Sequence, residues 1–136
     1  MDSFLPSHGG LLPYWLLYTS ISALIHSIVC YAVPAPSAIK VFNGASRPPL
    51  TPLLAHTYAV KNVYTGLIRG VAAYCVTDPK LYYLAMATYA GVLWLYGTET
   101  FYYGTVGFDA RGALIPLVQA GLGLVWMVVQ KGWYLG

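Results

Sequence analysis

The sequence has 136 residues, of which 58% are hydrophobic and only 8% are charged. Soluble domains carry about 25% charged residues. Seven Lys and Arg and four Asp and Glu cannot cover the surface of a soluble globule of this size. The composition excludes a soluble monomer, a disordered chain and a nucleic-acid module built on a basic patch. It is typical of a polytopic membrane protein with a single domain, residues 1–136.

Four segments have the length of a membrane-crossing helix, about 20 mostly apolar residues. The first and last of them lack charged residues, the third contains Glu99 near its end, and the second contains Lys61 and Arg69. We therefore predict an all-α membrane protein, a four-helix transmembrane bundle with short loops and both termini on one side. The predicted spans are residues 14–33, 53–76, 81–102 and 113–130.

Proline and glycine mark the links between these spans. Residues 34–52 hold five prolines and cannot form one continuous helix, although Ser37 could cap a short turn. In the second link Asp78 is predicted to cap the third span, with Pro79 as its first residue. This tight link predicts an antiparallel pair. The basic residues of the first and third links favour a cytoplasmic position for both.

The second predicted span has one polar face. At 100° per residue its polar residues fall within about 100° of arc. A cation in mid-membrane costs about 2.5–3.5 kcal/mol, so this face must meet protein, a cavity or a partner. The polar residues are Lys61, Asn62, Thr65 and Arg69. Small residues spaced by four predict close helix contacts, at Gly66, Gly70, Ala87 and Gly91.

We expect Glu99 to neutralise Lys61, because the tight second link places the two about one helical turn apart. His56 is level with Glu99. Arg69 lies deeper and is expected to bond to Thr88, Tyr89, Gln119 or a group on another protein. The polar face is expected to hold the bundle together. The alternatives are an interface with a partner or a second copy, and translocation of an ion or substrate.

The sequence contains no motif for a metal site or for a catalytic nucleophile. The three histidines lie in different regions, which excludes a di-iron site of the histidine-box type, and His26 is expected to be a core histidine. No phosphate loop, nucleophile motif or cofactor site is predicted. Acid–base chemistry by Glu99 and His56 is the enzymatic alternative. Cys30 and Cys75 are expected at opposite membrane surfaces, too far apart for a disulfide.

Several short segments resemble the ergosterol biosynthetic protein 28 family in their order and spacing. The likeness runs from about Leu12 to Tyr134, and the chain departs from the family pattern at His56 and at Lys61 with Asn62. The matching segments are 12–17, 55–58, 67–74, 78–79, 97–99, 116–117 and 124–127.

The resemblance implies a multi-pass protein of the endoplasmic reticulum membrane, surrounded by lipid, that acts as a non-catalytic scaffold in ergosterol biosynthesis. The partners it implies are a sterol C-4 methyl oxidase, a C-3 sterol dehydrogenase/decarboxylase and a 3-keto sterol reductase, with a sterol C-24 methyltransferase nearby. Two alternatives stay open: a small four-span transporter or channel, and a sterol-binding accessory protein.

Overall fold

The computed structural model describes residues 5–6 and 8–136 and contains helices and loops but no strand over that part of the chain. The four long helices overlap the four predicted spans, and the largest difference is the end of the last helix, at Leu135 rather than residue 130. In chain order the helices are α1 Leu12–Ala32, α2 Ala35–Ala38, α3 Pro52–Tyr74, α4 Pro79–Phe101 and α5 Leu114–Leu135.

Prolines and capping side chains set the helix starts. The Asp78 carboxylate accepts a hydrogen bond from the Lys80 amide at 2.9 Å, and Pro79 opens α4, which confirms the predicted cap. Thr51 caps α3 in the same way, accepting from the Leu54 amide at 3.2 Å. The predicted cap at Ser37 is wrong: α2 begins earlier, because the Pro34 carbonyl already accepts from the Ser37 amide.

The chain runs up and down four times, with α1 packed against α3 and α4 against α5. One apolar cluster joins the start of α1 to the ends of α3 and α5 and the start of α4. The described ends of the chain therefore lie beside the link between α3 and α4. The cluster includes Leu12, Leu16, Ala72, Ala73, Tyr82, Met127 and Tyr134.

Serine hydroxyls bring α1 close to α3. Ser20 donates to the Gly66 carbonyl at 2.6 Å, and Ser27 donates to the Ala59 carbonyl at 2.9 Å. A Cβ at Gly66 would lie 2.8 Å from Leu24 Cγ, so only glycine fits this approach without a shift. The two helices therefore form one closely packed pair.

Two helices, α1 and α5, are long and apolar enough to cross a membrane, each with a mean hydropathy of 1.4. Only 28% and 17% of their apolar segments are buried inside the protein, whereas a core helix of a soluble protein is mostly buried. The other two long helices are less apolar, because α3 carries Lys61 and Arg69 and α4 is rich in tyrosine and threonine.

Many of the exposed aromatic side chains lie in two groups at opposite ends of the bundle, and Tyr64 and Trp94 are exposed between these groups. Tyr14 and Tyr31 belong to different groups and are separated along α1 by about 26 Å, close to the roughly 30 Å of a bilayer's hydrocarbon core. Between them α1 exposes isoleucines, such as Ile21 and Ile25. Near the described ends lie Tyr14, Tyr74, Tyr83 and Trp133, and near the other end lie Tyr31, Phe101, Tyr102, Tyr103 and Phe108.

The two cysteines are free thiols, as expected from their positions at opposite ends of the bundle. Cys30 is buried beside the α2 end of the bundle, and Cys75 is exposed at the link between α3 and α4.

Candidate functional site

A polar cavity of about 160 Å³ lies between the helix pairs. Residues of all four long helices line it, and α3 supplies the two cations among them. Its polar lining residues are Thr19, Ser22, His26, Tyr58, Lys61, Asn62, Thr65, Arg69, Tyr89, Tyr96 and Gln119.

Arg69 reaches across the cavity from α3 to α4 and is only 7% exposed. Its Nε donates to the Thr88 hydroxyl at 2.9 Å, and its Cζ lies 4.1 Å from the centroid of the Tyr89 ring. The hydrogen bond to Thr88 confirms that predicted partner, whereas Tyr89 meets Arg69 with the face of its ring and not with its hydroxyl, which bonds to Thr19. Gln119 lines the same cavity but donates instead to the Tyr18 hydroxyl at 3.3 Å.

Lys61 lies two helical turns before Arg69 on the same face of α3. Its Nζ is 4.2 Å from the centroid of the Tyr58 ring, and Tyr58 shares a hydrogen bond with Tyr96 of α4. Within the described part of the chain no carboxylate pairs with Lys61, and none lines the cavity.

The predicted pair of Lys61 and Glu99 is wrong. The Glu99 carboxylate accepts from the Thr105 hydroxyl at 2.6 Å, and the Glu99 carbonyl accepts from the Thr105 amide at 2.9 Å. Glu99 thus closes the loop after α4, outside the cavity. The physical reason is local: a threonine six residues along the chain satisfies this carboxylate without crossing the bundle.

His56 also lies outside the polar cavity. Its ring stacks on Tyr31 of α1, with the ring centroids 4.1 Å apart and the planes 2° from parallel. Because Glu99 bonds to Thr105 and His56 stacks on Tyr31, the structure does not form the acid–base pair that the sequence offered as an enzymatic alternative.

Both ring nitrogens of His26 have partners within the bundle. Nε2 lies 2.8 Å from the Ala38 carbonyl, and Nδ1 lies 3.0 Å from the Asn62 side-chain amide. This network assigns the proton to Nε2, so that His26 donates to the carbonyl and accepts from Asn62. The expected core histidine is therefore found, tying α2 to α1 and α3.

The predicted small residues fall in two different settings. Gly66 and Gly70 contact α1, and a Cβ at Gly70 would lie 2.9 Å from Ser20 Oγ. Ala87 and Gly91 lie on an exposed side of α4, and a Cβ at Gly91 would meet no atom within 4 Å. Thr65 lines the cavity, where its hydroxyl donates to the Lys61 carbonyl at 2.9 Å.

The burial cost of the two cations in the cavity is larger than the energy that their cation–π contacts return. A cation without a counter-ion costs about 2.5–3.5 kcal/mol in mid-membrane, and a cation–π contact returns about 0.5–2 kcal/mol. The tyrosine rings therefore offset part of the burial cost of Lys61 and Arg69. The remaining N–H donors of both side chains have no hydrogen-bond partner within the described residues, so they can bind an anion or water.

Sequence reasoning named Tyr89 beside Arg69 but missed Tyr96 and the contact of Tyr58 with Lys61. Tyr58 and Tyr89 carry the two cations, and Tyr96 bonds to Tyr58. Tyr58 and Lys61 are three residues apart on one helix face, a spacing that could have indicated their contact. Tyr89 and Tyr96, seven residues apart on α4, likewise share one face.

Comparison with known proteins identifies the family of this chain. A family model described as "Erg28 like protein" matches residues 12–125, from the first residue of α1 into α5. The chain belongs to this family. Every residue that lines the polar cavity falls inside the part of the chain that matches the Erg28-like family.

Curated relatives in this family cover nearly the whole chain. The Candida albicans protein named "Ergosterol biosynthetic protein 28" is 31% identical, and the aligned 135 residues cover 98% of this chain and 96% of the relative. The Saccharomyces cerevisiae protein of the same name is also 31% identical, with 93% of this chain and 84% of the relative aligned. No solved structure matches the chain.

A second feature of this Erg28-like chain is a basic pocket of about 220 Å³ between its two long loops. Lys40 and Arg47 of the first loop and Arg111 of the third line it. Asn43 joins these loops: its side-chain amide donates to the Asp109 carboxylate at 3.1 Å, and its oxygen accepts from the Gly107 amide at 2.8 Å. The hydrogen bond from Asn43, with one from the Gly112 amide, lowers the pKa of Asp109 below its ordinary 3.8.

Proposed function

We propose that this Erg28-like protein crosses the endoplasmic reticulum membrane four times and acts there as a non-catalytic scaffold in ergosterol biosynthesis. The observation that carries the proposal is the exposed apolar surface of α1 and α5 between two aromatic groups, on a chain whose relatives are named for ergosterol biosynthesis.

Four crossings are supported by the direction in which α3 places its polar residues. Lys61 and Arg69 point into the polar cavity, whereas the exposed side chains of α3 include Val60, Leu67 and Val71. A helix with cations inside and aliphatic residues outside can meet lipid without exposing charge. The second and third crossings then form a hairpin around Asp78.

In the proposed scaffold role, the protein tethers consecutive enzymes of the pathway to one another. The proposed partners are the sterol C-4 methyl oxidase, the C-3 sterol dehydrogenase/decarboxylase and the 3-keto sterol reductase, with the sterol C-24 methyltransferase nearby. Holding consecutive enzymes on one small protein raises the effective concentration of each for the product of the one before. An apolar intermediate is then passed on before it diffuses away in the bilayer.

Complementation tests this function in a cell. The chain is expressed in Saccharomyces cerevisiae that lacks its own ergosterol biosynthetic protein 28, and the sterols are measured. We expect C-4-methylated sterols to fall toward the level of the parent strain. Affinity purification in mild detergent should recover the three C-4 demethylation enzymes with the chain.

A matched variant separates scaffold failure from misfolding. Reversing the charge of the basic pocket, by Lys40→Glu with Arg47→Glu, changes the loops without touching the helix contacts. Equal expression with loss of enzyme recovery would identify this pocket as a docking surface. A well-expressed wild-type chain that neither lowers the C-4-methylated sterols nor recovers any of the enzymes would contradict the scaffold.

A sterol-binding accessory protein is the second candidate, and an apolar groove supports it. The groove has a volume of about 540 Å³ and is lined by α1 and α3 side chains, including Ile28, Ala59 and Val63. We expect a photoreactive sterol to label this groove, and Val60→Trp, which fills it, to reduce labelling. Val129→Trp on the exposed side of α5 is the control and should leave labelling unchanged.

A further inference from the structure

We infer that the polar cavity binds the anionic headgroup, a carboxylate or a phosphate, of a single-chain amphiphile whose tail leaves the protein between α3 and α4. The inference goes beyond the scaffold role and stands on the geometry of the cavity alone.

The charge of the cavity favours an anion. Lys61 and Arg69 both line it, and no carboxylate of the described residues does. His26 carries no free donor into the cavity, because Ala38 and Asn62 occupy its two nitrogens. An anion placed between the two cations would meet positive charge from both sides in a medium of low dielectric constant.

Hydrogen-bond donors are available for such an anion. Arg69 uses only its Nε within the described part of the chain, which leaves the fork of N–H groups that matches a carboxylate or phosphate. Lys61 rests on Tyr58 without a hydrogen bond to any described residue. Tyr58 and Tyr96 share one hydrogen bond, in which one hydroxyl donates and the other accepts. The accepting hydroxyl keeps its own proton, which it can donate to an anion.

The size of the cavity selects a headgroup rather than a whole lipid. Its volume of about 160 Å³ equals that of roughly five water molecules in the liquid. A carboxylate or a phosphate fits this space, but a sterol ring system or an acyl chain does not. Any larger ligand must therefore leave most of its mass outside the cavity.

A lateral gap gives the rest of the ligand a path. A second cavity of about 290 Å³ shares Lys61, Thr65 and Val92 with the polar cavity and continues along α4 past Gly91. Gly91 is exposed and has open space where a side chain would begin. The headgroup site therefore opens sideways between α3 and α4, where a hydrocarbon tail can lie.

A titration of the purified protein in detergent, followed by native mass spectrometry, tests the site. The probes are oleoyl lysophosphatidic acid, its neutral match monooleoylglycerol, and the soluble headgroup glycerol 3-phosphate. We expect one lysophosphatidic acid per chain, bound at least about tenfold more tightly than either other probe. Equal binding of monooleoylglycerol would overturn the role of charge, and equal binding of glycerol 3-phosphate would overturn the role of the tail.

Matched variants locate the bound molecule. Lys61→Gln and Arg69→Gln should each weaken lysophosphatidic acid binding about tenfold, and Lys80→Gln, at the exposed start of α4, should not change it. Gly91→Leu blocks the gap without touching either cation and should also weaken binding, whereas Gly132→Leu on the exposed side of α5 should not. Unchanged binding in both Lys61→Gln and Gly91→Leu overturns the inference, even if Arg69→Gln does not fold.

Discussion

Two serine hydroxyl groups of α1 donate hydrogen bonds to backbone carbonyls of α3 and so hold the two helices together. Ser20 is 3% exposed and donates to the Gly66 carbonyl at 2.6 Å. Gly66 lies inside α3, so the serine adds a bond between helices to those within the helix. Ser27 repeats the contact seven residues later, on the same face of α1.

Removing the Ser20 hydroxyl should weaken this pair. Ser20→Ala is expected to lower the free energy of unfolding by about 1 kcal/mol, the usual net value of one buried hydrogen bond. The measurement is unfolding in mixed micelles, followed by tryptophan fluorescence. Ser22→Ala is the control, because Ser22 lines the polar cavity without a hydrogen bond to any described residue. Equal destabilisation by both variants would contradict the role of the Gly66 carbonyl.

Asp109 predicts an acid-sensitive loop. Its pKa in the folded protein is depressed below the ordinary 3.8, first by the Asn43 amide and then by the Gly112 amide. A depressed carboxyl pKa adds stability that is fully present above pH 3.8 and is lost as the pH falls through the folded value. Protonation of Asp109 should therefore loosen the link between the first and third loops.

Hydrogen exchange at the Gly112 amide measures this loosening, because that amide donates to Asp109 at 2.8 Å. In the wild type, the protection factor should stay constant above pH 3.8 and decrease at lower pH. In Asp109→Asn, which cannot titrate, it should not change with pH. A wild-type protection factor that is flat through the acid range would show that Asp109 does not hold the loops.

At the scale of whole helices, glycine serves two opposite purposes in this bundle. A Cβ at Gly66 would lie 2.8 Å from Leu24 Cγ and 3.1 Å from the Ser20 carbonyl oxygen, so α1 or α3 would have to shift. A Cβ at Gly97 of α4 would meet no atom within 4 Å. The first glycine permits packing, and the second only weakens its own helix.

The two positions should therefore respond to alanine with opposite signs. Gly66→Ala is expected to destabilise the protein by about 1–3 kcal/mol through overpacking. Gly97→Ala is expected to stabilise it by up to about 1 kcal/mol through helix propensity. Unfolding in mixed micelles measures both. Two changes of the same sign would show that the close approach of α1 and α3 is not what Gly66 provides.

Sequence periodicity predicted the helices and the polar face of α3, because both depend on contacts that repeat along one helix. The cap at Asp78 was predicted for the same reason: its partner is two residues away. The partner of Glu99 was not predicted, because level positions on neighbouring helices do not say which side chain a carboxylate meets. Asn43, which joins two loops across 66 residues to Asp109, gives no local signal at all.

The whole molecule places its charges at three levels. Asp78, Lys80 and Lys131 lie near the described ends of the chain. At the opposite end lie Glu99 and the charged residues of the long loops, Lys40, Arg47, Asp109 and Arg111. Between these levels Lys61 and Arg69 are the only charged residues in the described part of the chain, and both point inward. The positive-inside rule favours the side with more basic residues for the cytoplasm, and the long loops carry three basic residues against two at the other end. We therefore expect the long loops to face the cytoplasm.

Cys75 provides a natural probe for this orientation, since it is exposed at the link between α3 and α4 while Cys30 is buried. In sealed microsomes, whose outer surface is cytoplasmic, a membrane-impermeant maleimide should not label Cys75 until the membrane is opened. Ser46→Cys, in the first long loop and combined with Cys75→Ser, should be labelled at once. This opposition requires an odd number of crossings between residues 46 and 75, which α3 alone supplies. Labelling of both sites from the same side would mean that α3 does not cross the bilayer, and its cations would then need a different explanation.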